Sequence, residues 1–206
     1  MNSQNLELQK LINQVTACRI CRDTPAGKPL PHEPRPVLQA SSVARILIAG
    51  QAPGTRVHAS GRPFTDPSGE RLRAWLGIGP DIFYDADVIA ILPMGFCFPG
   101  LSPTGADLPP RPECARAWRT PVLAAMPQIE LVIALGIHAQ RWHMGKLYRG
   151  SLAETVKAWR TGLSLIPAII PLPHPSWRNT GWLKRNPWFE SELLPVLRHG
   201  VAALLR

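Results

Sequence analysis

No stretch of the chain runs to about 18 apolar residues without a polar break, so no membrane span is expected. The opening residues, MNSQNLELQKLINQ, lack the apolar core of a secretion signal, and a cytoplasmic protein is expected. Neither G-x-x-x-x-G-K-[ST] nor G-x-G-x-x-G occurs, which argues against the common nucleotide-phosphate cradles. No internal repeat and no linker divides the sequence, so residues 1–206 are read as a single domain. Acidic side chains are scarce: 14 Asp and Glu stand against 23 Lys and Arg, a formal net charge of +9. Arginine outnumbers lysine, and its forked guanidinium matches phosphate oxygens. Nucleic acid is one partner that suits this balance; a solvated basic surface accounts for it as well.

What is present alternates between apolar runs and helical patterns. ARILIAG (44–50), DVIAILPM (87–94), IELVIALG (129–136) and IPAIIPLP (166–173) are strand-like. Helical spacing marks residues 4–17, the segment GERLRAWLGI with Ser68 as its cap, CARAWRTPVLAAM with a kink or break at Pro121, HAQRWHMG, and a last helix from about Asn186. The alternation predicts an α/β three-layer sandwich, a four-stranded parallel central sheet flanked by helices. Ligands of such sheets gather at the carboxyl ends of the strands. Here those ends are GQAPG, PMGFCFPG, GIHAQ and PHPSWRN, each rich in Gly, Pro or polar residues.

Three groups of residues could carry chemistry. Cys18 and Cys21 form C-x2-C, and Cys97 and Cys114 form C-x16-C. In a cytoplasmic protein four cysteines suit a ligand set, for zinc or a 4Fe–4S cluster; small buried residues without a metal are the plainer alternative. The segment from Gly50 to Ile78 is crowded with glycine and proline around Phe64. Such a loop lets backbone approach a ligand closely, and Phe64 either stacks on a flat heterocycle or plugs the loop. In HPSWR, His174 could donate to a developing oxyanion, Ser176 and Arg178 could hold a phosphate, and Trp177, with Trp182, could wedge into a base stack. His58 has no evident partner, His138 and His143 read as helix-surface residues, and Glu70 with Arg73 reads as a surface pair.

Taken together, GQAPG…GRPF…SGERL and HPSWR resemble the two motifs of the uracil-DNA glycosylase superfamily, and the cysteine order resembles its family 4. The resemblance implies hydrolysis of the N-glycosidic bond of uracil in single- or double-stranded DNA by a monomer. It implies a base pocket formed by Gly50, Gln51, Ala52, Phe64, Pro93 and His174, with His174 stabilising charge on the departing base. It further implies DNA contacts from Ser176, Trp177 and Arg178, and a 4Fe–4S cluster on Cys18, Cys21, Cys97 and Cys114. Two positions depart from the family pattern. Gln51 stands where family 4 has a Glu that handles water, and Pro93 where an Asn commonly reads the base edge. Asp66, in FTDPSG, either restores a catalytic carboxylate or caps the next helix. A slow or non-catalytic DNA- and lesion-binding relative is the competing function.

Overall fold

In a computed structural model, which describes residues 3–205, the four apolar runs form one sheet. The strands are β1 (Ile46–Ala49), β2 (Ile89–Ile91), β3 (Leu131–Leu135) and β4 (Ala168–Leu172), all parallel, in the order β2-β1-β3-β4. Register aligns Ile46 with Ile89 on one side and Leu131 on the other, and Leu131 with Ala168. Each strand is shorter than its apolar run, because the flanking residues turn away to build loops.

A sheet covered on both faces reads as a continuous apolar run, with alternate residues serving different cores. Leu47, Ala49, Ala90, Val132 and Ala134 point into one core, filled by Leu8 and Val15 of the helix Ser3–Thr16 and by Val122 and Met126. Ile46, Ile48, Ile89, Ile133 and Leu135 point into the other. There Leu72 and Trp75 of the helix Pro67–Leu76 meet Phe189, Leu193 and Leu197 near the C-terminus. Full burial stabilises each such aliphatic side chain by roughly 1.5–3 kcal/mol, so both layers are held firmly to the sheet.

Two prolines leave the same mark. Residues 112–124 stay helical past Pro121, but Ala115–Arg119 widens into a π turn. Before Pro195 the chain does likewise, at Phe189–Leu193. Proline lacks the N–H for the bond to residue i−4, and a wide turn ahead of it lets the helix continue without a break. The expected kink at Pro121 is therefore a local widening. Two short helices, Thr55–Ser60 and Leu152–Lys157, carry no periodicity long enough to show in the sequence.

The cap of the helix Pro67–Leu76 is Asp66 and not Ser68. Asp66 has extended backbone and its carboxylate accepts from the Gly69 N–H at 3.3 Å. Ser68 lies inside the helix and donates its hydroxyl to the same carboxylate. Nor do Glu70 and Arg73 pair: Arg73 reaches the Tyr84 hydroxyl at 3.4 Å and lies over the Phe83 ring.

Candidate active site

The loops after β1, β2 and β4 enclose a pocket of about 580 Å³, open mouth included. Gly50, Gln51, Ala52, Phe64, Asp66, Pro93 and His174 all line it. So does Asp107, which sequence reasoning missed.

Phe64 forms the aromatic wall. Its backbone has φ of 53°, a left-handed conformation that costs a non-glycine residue of order 1 kcal/mol or more. The surroundings enforce it. The Tyr84 hydroxyl donates to the Phe64 carbonyl at 3.1 Å, and Gly69 leaves room for that carbonyl, since any Cβ at 69 would collide with it. The ring meets Phe83 edge-on, with centroids 5.9 Å apart, and its tip lies 3.8 Å from where a Cβ on Gly50 would stand. One face of the ring is thus braced while its far end borders the pocket floor.

His174 enters from the exit of β4. The Asn179 side-chain amide donates to its carbonyl at 2.7 Å, and Arg71, from the helix that Asp66 caps, donates to the Ser176 carbonyl at 2.9 Å. Buried Gln140 donates to Leu172 at the end of β4 at 2.9 Å. The loop therefore hangs from three side chains on different elements. Burial holds the His174 pKa below its ordinary value, partly opposed by the charges of Asp66 and Asp107. Near neutral pH the imidazole is uncharged, with one N–H to donate.

The two carboxylates at the pocket differ in their commitments. Asp66 already accepts from Gly69 and Ser68. Asp107 is exposed and comes from a small hairpin in the long Pro/Gly loop, closed by Ser102 N–H to Ala106 and Leu108 N–H to Gly100. Its Oδ2 lies 3.6 Å from the position a Cβ on Gly54 would take, an ordinary van der Waals distance, so the hairpin sits against the turn after β1. Gln51, where the family pattern has Glu, donates through Nε2 to the Leu108 carbonyl at 3.3 Å and so braces the hairpin that carries Asp107. The signal available in the sequence was small: Asp107 and Glu113 are the two acids of that loop, and Asp107 is the one in its middle, two residues from Gly105 and two from Pro109.

Pro93 offers no N–H, and its carbonyl accepts from Arg119 at 2.9 Å, as does that of Leu92 at 2.8 Å. Arg119 is fully buried, and its other nitrogen lies 2.7 Å from His143 Nε2. Since arginine only donates, Nε2 accepts and the His143 proton sits on Nδ1. His143 is thus a half-buried bracing residue and not a free surface histidine; burial, then the charge of Arg119, lowers its pKa to about 3. Trp182 also departs from expectation. It packs edge-on against Trp188 and Phe189, which removes it from any role as a wedge. Trp177 is 75% exposed, with the Arg178 guanidinium 5.9 Å from its ring centroid. His58 packs against His32 and Phe98.

All four cysteines are free thiols, and all line one small cavity with Val15, Pro34, Pro36, Phe96 and Trp118. The Phe96 N–H points at Cys114 Sγ and the Trp118 indole N–H at Cys18 Sγ, each at 3.2 Å. Burial pushes the Cys97 and Cys114 thiols up to about 12 and Cys21 to about 11. Among the described residues no three or more His, Cys, Asp or Glu converge tightly enough to hold one metal ion.

These features define an α/β protein with a half-polar pocket at the carboxyl edge of its sheet, walled by one aromatic ring. Residues 39–198 match the family model described as the Uracil DNA glycosylase superfamily, and the chain belongs to that superfamily. Membership supports a glycosylase-type function with DNA as the partner. No described helix is long and apolar enough to cross a membrane.

Proposed function

We propose that the protein is a DNA repair glycosylase that hydrolyses the N-glycosidic bond of uracil after the nucleotide is turned out of the helix. The observation that carries this reading is the meeting of Phe64, His174 and a free carboxylate, Asp107, around one pocket. The extruded base lies along Phe64, shielded from its neighbours in the stack. As the glycosidic bond breaks, its electron pair moves onto the base, and the His174 N–H stabilises the anion growing on the base oxygen. Positive charge builds on the sugar. Water attacks the anomeric carbon and yields its proton to Asp107, the carboxylate not engaged in capping. Because Pro93 presents no donor to the base edge, discrimination among deaminated bases is weaker than an Asn at that position would give.

The cysteine cavity fits a 4Fe–4S cluster better than zinc. In a cluster each thiolate takes its own iron, which suits sulfurs spread around a cavity, whereas zinc draws its ligands to one point. N–H groups aimed at two of the sulfurs and an apolar lining suit the thiolates of such a centre. Cys18, Cys21, Cys97 and Cys114 would hold it, and a cluster so held would tie the N-terminal arm to the loop after β2.

An excision assay with uracil-, hypoxanthine- and xanthine-containing oligonucleotides tests the activity. Strand scission at uracil after alkali is the expected result. Tight binding of the same oligonucleotides without excision would replace this reading with that of a lesion-binding relative.

A further inference from the structure

Beside the base pocket runs a second, open groove of about 750 Å³ that the reaction above does not use. Met94, Pro110, Arg111 and Pro112 form one wall; Arg116 comes from the helical run that follows, and Arg141 and Trp142 from the helix Gly136–Met144. The lining holds three arginines and His138 and no carboxylate. Among the described residues four arginines, 19, 22, 45 and 160, are ion-paired with Asp or Glu, and the remaining ones, in this groove and elsewhere, are not. Among the described residues Arg111, Arg116 and Arg141 have no such pair. Arg116 makes only a long contact, 3.4 Å, to the Pro112 carbonyl. Trp142 is 42% exposed at the rim, and the Arg119 guanidinium lies 5.7 Å from its ring centroid.

The groove and the pocket share a wall, for Pro93 faces one and Met94 the other. That wall is stiff: Met94 and Gly95 donate to the Gly50 and Gln51 carbonyls at 2.9 and 3.0 Å, and Arg119 holds Pro93 from behind. The groove is thus the surface next to the pocket on the side of the loop after β2.

We propose that the groove binds the DNA strand next to the extruded nucleotide, with Arg116 and Arg141 on its phosphates and Trp142 stacked on an unpaired base. The proposal rests on the glycosylase reading. It favours nucleic acid over an acidic peptide because an exposed indole beside unpaired guanidinium groups matches the alternation of base and phosphate.

The test is fluorescence anisotropy with single-stranded oligonucleotides carrying a central tetrahydrofuran abasic analogue, over a range of salt. The proteins are the wild type, the double variant Arg116→Gln/Arg141→Gln, Trp142→Ala and Trp142→Phe, each checked by thermal melting. Removing two phosphate contacts should lower the slope of log affinity against log salt by about 1.4. Trp142→Ala should weaken binding by about fivefold to a hundredfold, and Trp142→Phe should restore most of it. Trimming the oligonucleotide to the abasic unit and one neighbour on each side should erase the difference between wild type and double variant. Wild-type affinity and slope in the double variant would overturn the groove alone. So would displacement of the long oligonucleotide by polyglutamate of equal charge at equal concentration. Failure of the wild type to bind any of these oligonucleotides would overturn the glycosylase reading, and the groove with it.

Discussion

One loop, the connection from β2 to the helical run at Pro112, builds two cavities of opposite character. Pro93 and Asp107 face an open, half-polar pocket; Phe96, Cys97 and Cys114 face an apolar cavity lined by thiols. In the first, polar groups are left uncommitted where a reacting molecule can meet them. In the second, N–H groups are spent on sulfur. The contrast explains why the loop is so long, since a compact domain rarely keeps such a stretch without a role. On the proposed reading reactivity belongs to one side and cohesion to the other, so changes on the two sides should have different signatures.

The largest effect is expected on the cohesive side. Cys114→Ser should abolish iron in anaerobically purified protein and lower the melting temperature more than any substitution at the pocket, with activity falling because the loop loosens. Elemental analysis and calorimetry check it. Iron-free wild-type protein, or a variant as stable as the wild type, would remove the cohesive role and leave the two cavities independent.

Next comes His174→Ala. Loss of a preorganised donor to the leaving base should cost about 3–4 kcal/mol of barrier, a hundredfold or more in single-turnover excision. The melting temperature should hardly move, because three side chains hold that loop through its backbone and not through the imidazole.

Within the pocket the contrast sharpens to two carboxylates. Asp107→Asn removes the proposed proton acceptor and should slow excision about a hundredfold or more, with stability unchanged. Asp66→Asn should leave excision nearly intact, since Asn caps as well as Asp, whereas Asp66→Ala should cost about 1 kcal/mol of stability. The opposite pattern in single-turnover rates would transfer the base role to Asp66.

The sheet was legible because a two-sided parallel strand leaves an unbroken apolar run, and all four runs became strands in parallel. Gly50, Phe64 and His174 were legible as site candidates because their Gly/Pro-rich segments end strands. Asp107 was not, since it reaches the pocket through a hairpin made of backbone bonds that no side-chain pattern announces. Arg119 and His143 were missed for a related reason. On a helical wheel they resemble surface residues, and only the π turn and the packing of Leu92 and Pro93 turn Arg119 inward. Ser68 and Asp66 both suited a cap by residue type; Asp66, with extended backbone just before the first helical turn, holds the place.

At neutral pH the last contrast is silent, and it emerges only in acid. His143 braces the shared wall as a neutral acceptor, and its pKa in the folded protein is about 3 against about 6.5 for an unperturbed imidazole. The unfolded chain therefore binds a proton that the folded chain refuses, and stability falls as pH drops from about 6.5 towards 3. His174, also lowered by burial, adds a loss of the same sign. His143→Gln keeps an acceptor for Arg119 and cannot be protonated, so its melting temperature should fall less steeply over this window than that of the wild type. His174→Gln should flatten the curve too, but it should also abolish most excision at every pH, whereas His143→Gln should leave the rate at neutral pH within a few-fold. If both variants track the wild-type curve, the acid sensitivity comes from neither histidine, and Arg119 is held by its carbonyl bonds to Leu92 and Pro93 alone.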